Sequence, residues 1–378
     1  MPQYRLLVRD PGRIPVAEVD DFAELQAIPR FNAVGTWSLR LPATSRPAQL
    51  LVEGGGLIVL RDGLTLLSGP VEQLDREWSV QGDMLTATGV DDVSLLAHRL
   101  AYPVPSGPPY TAQDYDVRTG VCETVLRQYV DANVGGAAAP ARQEPALSLA
   151  ADLGRGAPVT GRARFQTLLE LLQGLALSGG LGFRIRQQVT AVGFPLEFEC
   201  YVPTDRSTSA LFSRELGTLQ SFGYTRAAAT ANYVIAGGSG TGTSRTFAER
   251  GDAASITTYR RREVFLDQRD TANAAELDQA IGQTLAQQAQ RTELRLTPID
   301  TASLAFGVDY QLGDVVTVMV DGVAFTDVVR EVQLTLRGDQ AEQIVPTIGT
   351  PSLANSVVPL LFRALRDLRG RISHLERQ

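Results

Sequence analysis

GGGLIVLRDGLTLLSGPVEQLDREWSVQGDMLTATGVD, residues 54–91, reads as a meander of short strands. Leu57 to Leu60 is one strand, Arg61-Asp62-Gly63 a tight turn, and Leu64 to Ser68 the return. Asp-Gly between two apolar runs is a strong hairpin signal, because the favoured two-residue turn needs positive φ, which Gly adopts at no steric cost. Further strands are expected over Val71 to Glu77 and Met84 to Gly89. The glycines 54–56 do not make a phosphate loop. No Lys-Ser/Thr follows them, and the next segment is a strand, not a helix whose amide end could hold an anion. Strands so closely spaced lead us to expect a small barrel or sandwich, where closure or packing hides the sheet edges.

Outward from this stretch, Tyr4, Leu6 and Val8 mark a first strand, and Trp37, Leu39 and Leu41 alternate on one side of a second. Near the other end, QLGDVVTVMVDGVAFTDVVREVQLTLRGD repeats the same grammar: Val315 to Val320, an Asp321-Gly322 turn, Val323 to Phe325, then Val328 to Leu336. Between them the period changes. Asp91-Asp92 precede a short capped helix, AYPVPSGPPY is a rigid linker, and Val121 to Val130 and Phe165 to Leu177 show helical spacing. Residues 132–160, rich in Ala, Gly and Pro, read as a surface excursion. Leu181, Phe183 and Ile185 begin a hairpin that returns through Phe194 to Val202, and Ala227 to Ile235 reads as a further strand. Ala274 to Leu285 is a further helix, with Leu277, Ile281 and Leu285 at four-residue steps, and Leu294 and Leu296 alternate on a strand.

The expected fold class is therefore α+β, mainly β: two small β-barrel-like modules with inserted helical and hairpin subdomains and a short C-terminal coiled-coil helix. The expected division is an N-terminal module at 1–95, a linker and helical region at 96–180, a hairpin subdomain at 181–229, a second module at 230–350 and a heptad helix at 357–378. Val358, Leu361, Leu365, Leu368, Ile372 and Leu375 form that helix's a/d seam, spaced 3 and 4 apart, so self-association is expected there.

Composition removes several classes of chemistry. The chain has 378 residues, a mass of 40.7 kDa and a net charge of -7, with 44% hydrophobic residues, so it is not disordered throughout. No apolar run approaches the length that spans a membrane, and the first residues lack a secretory signal. All 35 basic residues are arginine, which excludes lysine Schiff bases and a P-loop lysine. Two cysteines, Cys122 and Cys200, exclude a disulfide framework, and two histidines, His98 and His374, exclude histidine-rich metal centres. No cofactor or metal ligand set is expected. Glu197 and Glu199 face the same side of a strand, but acid–base work needs a cleft and divergent pKa values, and ordinary sheet surface is the better reading. The glycine-rich loop 237–242 lacks the spacing of a nucleotide site and reads as a hairpin tip. Arg260, Arg261 and Arg262, followed by Glu263, form a compact charge cluster beside acidic residues. Local or intersubunit ion pairs fit it better than nucleic acid does.

These segments together resemble the Siphovirus ReqiPepy6 Gp37-like family of phage minor tail proteins, which is similar to baseplate hub and tail-associated (Tal-like) proteins. The pieces that carry the resemblance are VGTWSLRLP (34–42), GLIVLRDGLTLLSGPV (56–71), the glycine loop with SRTF (237–247), RREVFLDQRD (261–270), YQLGDVVTV (310–318) and VVREVQLTL (328–336). The resemblance implies a non-enzymatic structural protein of the virion, at the tail tip. It implies a homotrimer whose paired β modules make a pseudo-sixfold ring between the tail tube and a tip or fibre. Distal tail or tail tube proteins, the tape measure protein and a tip or fibre protein would be its partners, and DNA would pass through the lumen. The family offers no catalytic residue to carry over, and an appended peptidase or lysin domain has no room here. A cell-surface glycan hydrolase and a receptor-binding tail protein are the alternatives. The first needs a persuasive pair of carboxylates and the second an exposed aromatic pocket.

Overall fold

The computed structural model describes residues 2–191, 193–269, 271–298, 304–338 and 341–349. The heptad positions Val358, Leu361, Leu365, Leu368, Ile372 and Leu375 lie outside them. From the N-terminus come β1 (Tyr4–Arg9), β2 (Pro15–Glu18), β3 (Glu24–Ile28), β4 (Thr36–Pro42), α1 (Arg46–Leu50), β5 (Gly56–Arg61), β6 (Leu64–Ser79) and β7 (Gly82–Val90). Alternation in β4 buries Trp37, Leu39 and Leu41, as read from the sequence. Each such side chain, fully buried, contributes about 1.5–3 kcal/mol. Asp62 and Gly63 both hold positive φ, 51° and 80°, so the β5–β6 turn is of the expected hairpin kind.

The middle of the chain holds α2 (Ser94–Ala97), β8 (Asp116–Val121), α3 (Cys122–Asn133), β9 (Leu147–Leu149), β10 (Pro158–Ala163), α4 (Leu168–Gly179), β11 (Gly182–Gln187) and β12 (Leu196–Tyr201). Helices α3 and α4 pack with the inner face of the β11–β12 hairpin into one core through Val125, Leu126, Leu168, Leu172, Phe183 and Phe198. The expected surface excursion over 132–160 instead supplies β9, which pairs in parallel with β12, and the start of β10, which pairs with β8. Phe165 is not part of α4. It has positive φ and lies half-exposed before a helix whose N-cap is Thr167. Cys122 and Cys200 share this core and remain buried free thiols.

The last part contains β13 (Leu211–Ser213), β14 (Leu219–Ala227), β15 (Tyr233–Gly237), β16 (Phe247–Gly251), α5 (Ala253–Tyr259), β17 (Glu263–Asp267), α6 (Ala274–Gln288), β18 (Arg291–Pro298), β19 (Val315–Val320), β20 (Val323–Leu336) and β21 (Gln343–Gly349). Asp321 and Gly322 repeat the positive-φ turn between β19 and β20.

Two barrel-like modules are not what these strands build. Leu334 to Leu336 of β20 pair antiparallel with Leu25 to Ala27 of β3, which joins the strands of both ends of the chain. The result is one 13-stranded sheet with the path β14-β18-β21-β20-β3-β4-β7-β6-β5-β1-β2, and β19 and β13 branch from β20. Among the described residues the path is open: β14 and β2 end it and do not meet. Hairpins at short intervals are equally compatible with an open meander, and the long-range β3–β20 pairing decides between the two. β6 and β20 also run unbroken where the sequence suggested two strands each. Each contains a register shift, between Val71 and Gln73 and between Val329 and Glu331, and each changes partner along its length. A bulge bends a strand without ending it.

Asp91 and Asp92 do not cap α2, whose N-cap is Val93 with no side-chain cap bond. Asp92 instead accepts from Arg9 Nη2 at 2.7 Å and from Ser68 Oγ at 2.6 Å, while Arg9 Nη1 also donates to Gln187 Oε1 at 2.7 Å. Arg9 and Asp92 are 3% and 4% exposed, and the group locks β11 onto the sheet. Asp92→Ala would leave a buried guanidinium unpaired. Urea unfolding should show a loss of about 3–5 kcal/mol.

Burial pushes the Asp91 carboxyl up to about 7, against the Gly35 amide that bonds it and with the Asp92 charge adding to the rise. The unfolded value is about 3.9. Between these values the folded chain holds a proton that the unfolded chain has released. The stability this contributes is full below about pH 4 and lost as pH rises through 7. Asp91→Asn should therefore flatten the decline in unfolding midpoint between pH 5 and pH 8, measured by urea titration at each pH (roughly the span set by the two values).

Candidate functional site

The sheet β16-β15-β17 has two unlike faces. Val234, Ala236, Ala248, Val264 and Leu266 turn to one side, where Leu277, Ile281 and Leu285 of α6 cover them. Alternation sends Tyr233, Ile235, Phe247 and Phe265 to the other side. Phe247 and Phe265 are 59% and 53% exposed there. Arg245 lies between these two rings, 5.6 and 5.4 Å from their centroids, and donates to the Gly237 carbonyl and to Asp267. The absence of a side chain at Gly237 leaves room for this guanidinium, which a Cβ would approach to 2.6 Å. Aromatic rings interleaved with arginine are the composition of protein–protein hot spots.

The Arg260–Glu263 cluster borders this face. Arg261 stacks on the Tyr233 ring at 3.5 Å and donates to Glu263 at 2.6 Å. Arg262 donates to the Ala229 carbonyl and sits 5.6 Å from the Tyr259 ring. Arg260 ends α5 with positive φ and is exposed. The structure thus brings Arg261 and Glu263 together as a local pair and sends Arg262 to backbone. Sequence reading missed Phe247, Phe265 and Arg245. In EVFLD the alternation marks Val264 and Leu266 as the covered set, but the gathering of Phe265 with Phe247 and Arg245 depends on the pairing of β15 with β16 and β17.

Two further features leave unsatisfied surface. Among the described residues β14 pairs on one side only, with β18, and all its residues after Leu219 are exposed, including Phe222 and Tyr224. A free strand edge of this kind offers its amides and carbonyls to another chain. The β6–β7 hairpin extends past the core as an arm. Trp78 and Val80 at its tip are 73% and 87% exposed, and Arg76 and Asp83 pair across it.

Glu197 and Glu199 do lie on the same outward face. Glu197 accepts from Gln188 Nε2 at 2.8 Å. Burial raises the Glu199 pKa, but bonds and charge from Arg184 and Arg186 outweigh it and hold the carboxylate below its ordinary value. Glu199 is thus tied up in ion pairs with two arginines. Among the described residues, no cluster of His, Cys, Asp and Glu could hold a metal ion, and no helix is long and apolar enough to cross a membrane.

Residues 5–350 match the profile of the family described as Siphovirus ReqiPepy6 Gp37-like protein. A comparison with curated proteins gives no match. The fold is similar to that of a tail protein from Neisseria meningitidis MC58, at 15% identity, with 92% of this chain and 96% of that one covered and a TM-score of 0.59. It is similar also to the 43 kDa tail protein of prophage MuSo2 from Shewanella oneidensis, at 12% identity, 91% and 98% coverage and a TM-score of 0.58. Prophage tail protein gp18 from Listeria monocytogenes EGD-e shares the fold at 11% identity, with 97% and 99% covered and a TM-score of 0.54.

If the Phe247–Phe265 face is free in the single chain, replacing both with Ser should leave the urea midpoint of a dilute sample near wild type. Ile281→Ala, under the opposite face, should cost about 2–5 kcal/mol. Equal losses in the two variants would show that the aromatic face is covered.

Proposed function

The chain belongs to the Siphovirus ReqiPepy6 Gp37-like family, and on that premise we propose that it is a hub subunit whose copies close a trimeric, pseudo-sixfold ring at the tail tip. Membership itself carries a structural, non-enzymatic role in the phage tail and a place in the virion at its tip. In the proposed assembly the ring joins the tail tube to a tip or fibre and lets DNA pass. Distal tail, tape measure and tip or fibre proteins are its neighbours, and the heptad positions 358–375 gather the three C-termini.

The observation that carries this reading is the open sheet with two unlike free ends, β14 and β2. Contacts between different surfaces of identical copies repeat around an axis and form a ring when the rotation closes. Strand edges left unpaired in one chain are then covered by the next. The net charge of -7 per subunit suits a lumen that must not hold DNA.

Light scattering on the full chain over a range of concentrations should give three times 40.7 kDa at the upper end. Removal of 357–378 should shift the midpoint of assembly to higher concentration. A particle of one-chain mass at every concentration, also in the presence of purified tail tube protein, would overturn the ring.

A further inference from the structure

Several buried or partly buried arginines of this chain come with carboxylates. Arg9 has Asp92, Arg61 has Glu342, Arg155 has Glu123 and Arg206 has Asp314. Arg330 does not. It sits within the register shift of β20, and its guanidinium lies over the Phe31 ring at 5.5 Å. Its Nε is buried with no acceptor, and no ion pair reaches its head among the described residues. Its neighbour Glu331 is taken by Arg30 at 2.6 Å. Burial lowers the Arg330 pKa, and Asp327 offsets this only in part. A guanidinium stays charged regardless, so the charge is held at a cost that an outside anion would relieve.

The surroundings extend the same imbalance. Phe31 meets Tyr201 edge-on, with centroids 6.2 Å apart, and Arg184 stacks on Tyr201 at 4.9 Å. Arg184 and Arg186 both bond to one oxygen of Glu199, each at 2.5 Å. Two guanidiniums thus share one carboxylate, and the Arg330 guanidinium lies over the neighbouring Phe31 ring.

The opposite imbalance occurs on the β6–β7 arm. Glu72, Asp75 and Glu77 are all exposed. Glu72 and Asp75 form no ion pair among the described residues, and Glu77 only approaches Arg40 at 3.9 Å. Asp75 and Glu77 share one face of an arm that ends in Trp78 and Val80.

We propose that the Arg330–Phe31–Tyr201–Arg184 row is a socket for carboxylates of a second copy of this chain, supplied by Asp75 and Glu77 of its β6–β7 arm. The proposal rests on the ring reading and names one of the ring's contacts. Charge complementarity selects the occupant: Arg330 has no carboxylate partner among the described residues, and Asp75 and Glu77 have no close basic one. Trp78 adds an aromatic side chain beside the carboxylates, as buried anchors at interfaces commonly do.

Sedimentation velocity on the full-length chain tests this with Arg330→Glu, the arm double variant Asp75→Arg with Glu77→Arg, and the two combined. Each separate reversal should weaken self-association about tenfold or more, and the combination should restore it to within a few-fold of wild type. Arg330→Met guards against misfolding. It should raise the urea midpoint of the dilute chain, because it removes an unpaired charge, and yet weaken association about tenfold. Equal association by all variants would overturn the socket and leave the ring standing, whereas a monomeric wild type would overturn both. Loss of binding to a DNA oligonucleotide in Arg330→Glu, with self-association unchanged, would overturn the carboxylate assignment in favour of phosphate.

Discussion

Leu334 and Leu336 end β20, deep in the C-terminal half of the sequence, yet they are buried in the same core as Leu25, Leu39, Leu57 and Val59. Earlier along the same strand, Val329 and Val332 are buried in a second core with Phe212, Leu296, Tyr310 and Val318. One strand therefore stabilises two cores. Its pairing with β3 closes a loop of roughly 300 residues, and long loops are closed late because their entropy must be met before the contacts form. Neither end of the sheet can be complete without the other. Around this join lie Arg61–Glu342, Arg30–Glu331 and Arg337–Glu24, each linking the first 61 residues to residues past 330.

A strand can serve two neighbourhoods only if it bends without breaking its ladder. β6 pairs with β5 over its first residues and with β7 over the rest, and its register shifts after Val71. β20 does the same: its first residues pair with β19, and its later ones lie between β21 on one edge and β3 on the other. Both strands are entered through an Asp-Gly turn with positive φ at both positions. At the β6 bend the backbone must come very close to its neighbour. A Cβ on Gly69 would lie 1.8 Å from the Val90 carbonyl oxygen, so no other residue fits there. The likeness of the two ends of the chain is thus a likeness of local mechanics: a tight turn, then a long bent strand that changes partner.

The same economy explains where function lies. The inner faces of the sheets are filled by the chain's own side chains, and its buried charges are matched within it, as at Arg9–Asp92 and Arg155–Glu123. Departures from that rule are concentrated at the surface: the Phe247–Phe265 face, the β14 edge, the β6–β7 tip and the unmatched Arg330. A protein that acts in an assembly is expected to leave such groups for its neighbours. A catalytic site would instead gather polar groups with displaced pKa values in a cleft, and Glu197 and Glu199 show how ordinary the best carboxylate pair is.

Local chemistry was legible in the sequence. The two Asp-Gly turns, the alternation of Trp37, Leu39 and Leu41, the α6 seam of Leu277 and Ile281, and the antiparallel β11–β12 hairpin all depend on residues a few positions apart, whose φ preference or spacing acts regardless of context. The family texture was legible for the same reason, since it is made of those segments. What the residues could not state was which strands lie beside which. The barrel-like modules gave way to an open sheet through the β3–β20 pairing, and the breaks expected after Ser68 and Phe325 became bends within β6 and β20. The free aromatic face was hidden because Phe247, Phe265 and Arg245 come together only through the pairing of β15 with β16 and β17. Periodicity records that a residue has an inside and an outside. The choice of partner is set by packing between residues hundreds of positions apart, and that lives in the tertiary structure alone.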